Sequence, residues 1–158
     1  AVSAVAPGAG LSPSDEEDVA RLVRAASAGS LPSRLSRAVR FTTEFPFAVM
    51  LPDGGAGDGL LEGRIDLLIE EPDGCVLVDY KTDRVPRGED ASGFVRERAA
   101  FYRAQAAAYA VALDALGARP RSAILVFLDA GREAPFTVDP GFLALGREAA
   151  IRSLRDSV

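Results

Sequence analysis

Apolar and polar positions along this chain repeat with periods that change at glycines and prolines, and those changes mark out the elements. Ser12-Pro13-Ser14-Asp15 is a helix start with acidic residues in its first turn, and it predicts a short helix to Ala28, stopped by Gly29. Arg37 to Met50 predicts a strand with Val39, Phe41, Thr43 and Phe45 on one side. Residues 53–59 form a glycine-rich connection without the spacing or lysine of a phosphate-binding loop. Residues 60–70 and 74–82 are apolar on more than one face and are joined at Pro72-Asp73-Gly74, which predicts a hairpin at the centre of a sheet. A polar loop at 83–92 leads into a long helix over 93–116, ended by Gly117 and Pro120, and Ser122 to Leu128 predicts another buried strand. Asp139-Pro140 begins a terminal helix to Arg155 with Phe142, Leu145, Ala149 and Leu154 as its apolar side. Strands, a crossover helix and a further strand imply an α/β fold, a mixed central sheet of four or five strands flanked by helices.

The hairpin carries charges where dryness is expected. With Pro72 and Asp73 as a two-residue turn, Asp66 stands opposite Asp79 and Lys81 opposite Arg64, all on one face. Ile65, Leu67, Ile69, Val76, Val78 and Tyr80 then form the other. A turn with Gly74 in a left-handed bulge would shift that register by one residue. Two carboxylates converging in a buried hairpin repel each other, and a cation between them relieves the repulsion. Oxygen ligands without histidine favour a hard ion, magnesium or manganese, over zinc. A lysine two residues beyond such a carboxylate can position an attacking water or offset phosphate charge. The plainer alternative is an Asp–Lys ion pair at a strand end.

On the long helix Arg98, Tyr102, Gln105 and Tyr109 recur at helical spacing and make one polar and aromatic stripe, with Phe94, Phe101, Ala108 and Leu116 beside it. A glutamine among alanines on a packed helix needs partners, and a metal-bound water, Lys81 or a base edge would each supply one. For Tyr109, core packing with the hydroxyl at the rim competes with a role at substrate.

Composition narrows the class. At 158 residues, 48% hydrophobic and 26% charged, the chain suits one globular domain. No apolar run approaches the roughly 18 residues of a membrane span, and no signal-peptide pattern is present, so a cytoplasmic setting is expected. The single Cys75 reads as a small buried hydrophobe. The net charge of −5 opposes autonomous nucleic-acid binding, although Arg84, Arg87, Arg96, Arg98 and Arg103 cluster after the hairpin. A solvated helix face is the plain reading of those arginines.

Gly63-Arg64-Ile65-Asp66 followed by Val78-Asp79-Tyr80-Lys81-Thr82-Asp83 resembles motifs II and III of the PD-(D/E)XK nuclease superfamily, most closely the RecB-like nuclease domain of AddA-type and UvrD-like helicase–nucleases. Tyr102-x-x-Gln105-x-x-x-Tyr109 resembles the Gln-xxx-Tyr motif of these domains, and Glu44 their acidic strand residue. The resemblance implies a restriction-endonuclease-like fold and magnesium-dependent hydrolysis of DNA, exonucleolytic rather than endonucleolytic. It gives Asp66, Asp79 and the Tyr80 backbone carbonyl as metal ligands and Lys81 as the residue orienting water. Glu44 becomes an auxiliary acid, with Gln105, Tyr109, Tyr102 and Arg98 around substrate. The partners it implies are DNA, helicase domains of a parent chain and a second helicase–nuclease subunit. Residues 1–158 are then one nuclease-like domain, an excised C-terminal piece with a helical region over 1–36 and a core over 37–158. One departure stands out: relatives carry a metal-binding histidine upstream, and this chain has no histidine. A catalytically inactive scaffold or DNA-guiding module is the alternative that this departure supports.

Overall fold

The computed structural model describes residues 29–52 and 58–156, with a few helical positions between 17 and 27. Most of the helix expected over 12–28 and the heart of the 53–59 connection lie outside the described residues. The elements run α1 (Leu31–Leu35), β1 (Arg40–Pro52), β2 (Asp58–Glu71), β3 (Gly74–Lys81), α2 (Ala91–Ala115), β4 (Pro120–Phe127), β5 (Arg132–Thr137) and α3 (Pro140–Asp156). The five strands form one sheet in the order β1-β2-β3-β4-β5. All neighbours are antiparallel except β3 and β4, which α2 joins as a crossover. The mixed sheet flanked by helices is the expected architecture.

Two apolar layers cover the sheet. On one side α2 and α3 pack over Phe47, Leu68, Leu77, Leu125 and Phe127. On the other, Leu31 of α1 closes over Leu67, Ile69, Val76, Val78, Ile124 and Val126. The helices approach closely because Gly146 has no side chain. A Cβ there would stand 2.2 Å from the Ala107 carbonyl oxygen. Asp90 caps α2, its carboxylate accepting from Ser92 N and Gly93 N at 3.2 and 2.8 Å.

The hairpin keeps the two-residue turn. Leu67 pairs with Val78, Ile69 with Val76 and Glu71 with Gly74, so no bulge shifts the register. Other expectations change near Asp66. The β2/β3 ladder ends at Leu67/Val78, and Arg64 pairs with Pro46 of β1 rather than facing Lys81. Ile65, expected beside Leu67 and Ile69, lies on the helix side with Leu68 and Leu77. On β1, Phe45 likewise packs on the helix side while Val39 and Phe41 stay exposed. The physical reason is a kink. Glu44, opposite Asp66, has φ 52, and the β1/β2 ladder skips this position while keeping its register on both sides. A left-handed residue inside a strand interrupts the period of two, so the inward face changes.

Two elements escaped the apolar pattern. β5 is an edge strand containing Pro135, tolerated there because one side of the strand needs no ladder donor. α1 is barely more than one turn, with Pro32 in its first turn. On α3 the buried positions are Phe142, Gly146 and Ala150, with Leu143 and Leu145 partly packed; the Leu154 side chain lies outside the described residues.

Candidate metal and nucleic-acid site

The site begins where β2 and β3 part. Past Leu67/Val78, the Asp66 carboxylate replaces the missing ladder partner and accepts the Tyr80 N–H at 2.7 Å. That bond ties the two strands together and sets Asp66 against Asp79. Asp79, 7% exposed, is the one buried polar side chain among the described residues. Strand alternation puts it and Lys81 on the helix side, below α2.

Lys81 Nζ lies 2.5 Å from Asp79 Oδ2. That oxygen is inaccessible to solvent and makes no hydrogen bond of acceptable angle, so the contact is charge pairing rather than an aligned bond. Burial pushes the Asp79 carboxyl above its ordinary pKa. The charge of Lys81 opposes the rise, and neighbouring Asp66 adds to it. Lys81 also donates to Gln105 Oε1 at 2.9 Å, and the Gln105 amide donates to the Tyr109 hydroxyl at 3.2 Å. The ammonium stands 4.0 Å from the centre of the Tyr102 ring.

Two supports hold this stripe in place. Phe47 meets Tyr109 edge to face at 5.3 Å, and it can lie there because Gly63 leaves room: a Cβ on Gly63 would come within 2.6 Å of the Phe47 ring. At the other end Asp83 accepts from Arg98 Nε at 2.8 Å, pairs with the same guanidinium at 2.6 Å and faces the Tyr102 hydroxyl at 3.2 Å. Arg98 donates to that hydroxyl at 2.9 Å. Asp83 thus links the strand carrying Lys81 to α2. Spacing along the chain assigns Asp83 no task, although it belongs to the lysine motif; a carboxylate, a guanidinium and a phenol all following that lysine were the available signal.

Of the residues singled out from the sequence, Asp66, Asp79, Lys81, Gln105, Tyr109, Tyr102 and Arg98 come together in one connected set. Glu44 does not join it through its side chain, which pairs with Arg64 at 3.3 Å on the exposed surface. Its contribution is the backbone kink opposite Asp66. The arginines after the hairpin have different surroundings. Arg98 is matched by Asp83, Arg103 lies 5.9 Å from the Phe136 ring, and Arg84 and Arg87 are exposed.

No set of three His, Cys, Asp or Glu side chains comes together among the described residues. Two carboxylates remain, one of them with a buried oxygen lacking an aligned hydrogen bond. Such a donor set suits a hard divalent cation whose shell main-chain carbonyls and waters complete. The arrangement is a carboxylate pair with an adjoining lysine at a strand fork under one helix.

A fork of this kind agrees with the family comparison: the model of the PD-(D/E)XK nuclease superfamily matches residues 2–153, and the chain belongs to that superfamily. Among curated proteins it is 41% identical over 98 residues to an ATP-dependent helicase/nuclease subunit of Desulforudis audaxviator, covering 56% of this chain and 8% of that protein. The corresponding ATP-dependent helicase/nuclease subunit of Heliobacterium modesticaldum is 33% identical over 124 residues, 75% of this chain and 9% of its own length. The chain therefore spans less than a tenth of these relatives. A solved structure described as the crystal structure of SSO0001 aligns over 87% of this chain and 60% of its own, with 20% identity and a TM-score of 0.43. Nucleases of this superfamily generally use divalent metal ions. No helix among the described residues is long and apolar enough to cross a membrane.

Proposed function

We propose that this chain is the nuclease domain of a larger cytoplasmic helicase–nuclease that processes DNA ends, cutting phosphodiester bonds with magnesium or manganese. The observation that carries the reading is Asp79. A carboxylate this buried, beside a second carboxylate and a lysine, costs stability that an apolar residue would not. Asp66, Asp79 and the Tyr80 backbone carbonyl would hold the ion. When bound, it would supply charge for the phosphate oxygens and acidify a water.

The chain's own residues do the remaining work. Asp66 bridges the fork to the Tyr80 N–H, and Asp79 and Gln105 share the Lys81 ammonium from two sides. In that position Lys81 can donate to an attacking water or to a phosphate oxygen as negative charge develops. Tyr109 orients the Gln105 amide, and Tyr102 and Arg98 border the path of the strand. Exonuclease action, the helicase domains of the parent chain and a second helicase–nuclease subunit belong to the same proposal. The relatives' names, ATP-dependent helicase/nuclease subunits, support the helicase domains and the further subunit.

The test is cleavage of end-labelled single- and double-stranded linear DNA in magnesium or manganese against a chelator, with Lys81→Ala as control. Metal-dependent cleavage that the variant loses is expected, and equal cleavage by both proteins would remove Lys81 from the mechanism. An inactive nuclease-like scaffold is the second reading, favoured by a chain without histidine. Cleavage by neither protein would support it.

A further inference from the structure

Phe101 is 68% exposed, yet it is not loose on the surface. The edge of Tyr102 meets it at 5.0 Å and 83°, and the Arg98 guanidinium stands 4.7 Å from its ring centre. Arg98 is itself fixed by Asp83 and the Tyr102 hydroxyl. The ring is thus braced by Arg98 and by Tyr102, which also meets Lys81, while most of its surface faces solvent. One helical turn further along the same side of α2 comes Gln105, which holds Lys81. A turn of helix rises about 5.4 Å, comparable to the step between neighbouring nucleotides.

Charge decides what such a ring would recognise. The chain carries a net charge of −5, and the cation nearest to Phe101 is already matched by Asp83. Phosphate contacts are therefore a poor source of affinity here, whereas stacking a base on an aromatic face does not depend on net charge. Bases in a duplex are stacked on one another and would not offer a free face, so the fitting ligand is an unpaired strand.

We infer that Phe101, braced by Arg98 and Tyr102, is a stacking platform for an unpaired base of a single-stranded nucleic acid, next to the scissile position. This rests on the nuclease reading of the neighbouring site. The platform adds affinity and a preference for single strands, and its contribution is insensitive to salt.

The chain contains no tryptophan, so Phe101→Trp introduces a unique tryptophan at the platform, excited selectively over the three tyrosines. The probe is an oligothymidylate of about 12 nucleotides, within the usual span of such sites, added to Lys81→Ala protein in magnesium so that it is not consumed. Expected are saturable quenching of the Phe101→Trp emission and binding weakened about 10-fold in Phe101→Ala and in Phe101→Leu, at both low and high salt. Phe101 is exposed, so neither variant should disturb the fold. Unchanged affinity in the alanine variant, binding without quenching, or no binding would each overturn the platform. Cleavage by protein retaining Lys81, scored separately, keeps the two ideas apart. Cleavage with Phe101-independent binding removes the platform alone, and Phe101-dependent binding without cleavage removes the nuclease reading alone.

Discussion

Three neighbours fix the Lys81 ammonium, and they differ in kind: the Asp79 carboxylate, the Gln105 amide and the Tyr102 ring. Removing the amide should reveal how far position matters beyond charge. Gln105→Ala leaves Lys81 held by Asp79 and the Tyr102 ring alone, and cleavage should fall about 10- to 100-fold, the usual loss when a residue that orients a metal-site group is removed. Because Gln105 is exposed, the melting temperature should stay unchanged, and a parallel fall in melting temperature would mean that the glutamine is only structural. Cys75 gives a residue-scale test with no link to catalysis. Burial, with a smaller push from the Glu70 charge, raises its thiol from 9.0 to about 11. Below pH 9 both folded and unfolded chains keep the proton; between 9 and 11 only the unfolded chain loses it. Stability should therefore decline in that window, by up to about 1.4 kcal/mol per pH unit from this group. Denaturant midpoints of the parent protein and of Cys75→Ala, followed from about pH 8 to 11, should converge or cross as the parent loses this increment. Parallel curves would exclude the effect.

At the scale of elements, the approach of α3 to α2 depends on an atom that is missing. Glycine inside a helix ordinarily costs about 0.5–1 kcal/mol against alanine, so Gly146→Ala would stabilise α3 taken by itself. Here the added methyl would overlap Ala107 backbone atoms at 2.2 and 2.4 Å, and backbone cannot rotate aside as a side chain can. Overpacking of this kind typically costs about 1–3 kcal/mol, which outweighs the propensity gain. The variant should melt several degrees lower, and a higher melting temperature would show that the helix pair can separate at little cost. At Gly63 the obstacle is the Phe47 ring, a side chain that can turn aside only by leaving Tyr109. There the loss would also reach function, since Phe47 supports Tyr109 and, through it, Gln105.

Across the whole molecule, what could be read from the sequence was whatever obeys a period. The hairpin register followed from a two-residue turn, and the stripe on α2 followed from helical spacing; both are local rules. The kink at Glu44 obeys no such rule. Glutamate has no preference for φ 52, and nothing in Thr43-Glu44-Phe45 announces it, so the exchange of faces that moves Ile65 to the helix side was out of reach. Edge strand β5 was hidden by Pro135, and α1 by being little longer than a turn. The Asp83 brace obeys no period either, since it joins a loop to a helix fifteen residues away through side chains alone.

The kink and the carboxylates together make the site a local weakness that a ligand should repair. A non-glycine residue in left-handed conformation stores strain, and the Asp66 carboxylate disfavours the charge of Asp79. Asp66→Asn separates these effects. The amide oxygen can still accept the Tyr80 N–H, the Asp79–Lys81 pair is untouched, and only the repulsion goes. Without divalent metal this variant should melt at or above the parent protein, a degree or two higher where the repulsion is felt in full. Adding magnesium to about 100 times its dissociation constant should then stabilise the parent protein by about 2.7 kcal/mol, as binding to the folded state alone requires, and leave Asp66→Asn with little or no gain. Stability and metal response would thus move in opposite directions, as expected where a site is kept for chemistry at the expense of the fold. Melting curves of both proteins with magnesium and with a chelator decide the matter: an equal magnesium shift in the two would exclude Asp66 as a ligand, and a parent protein insensitive to the metal would argue that the paired carboxylates hold none.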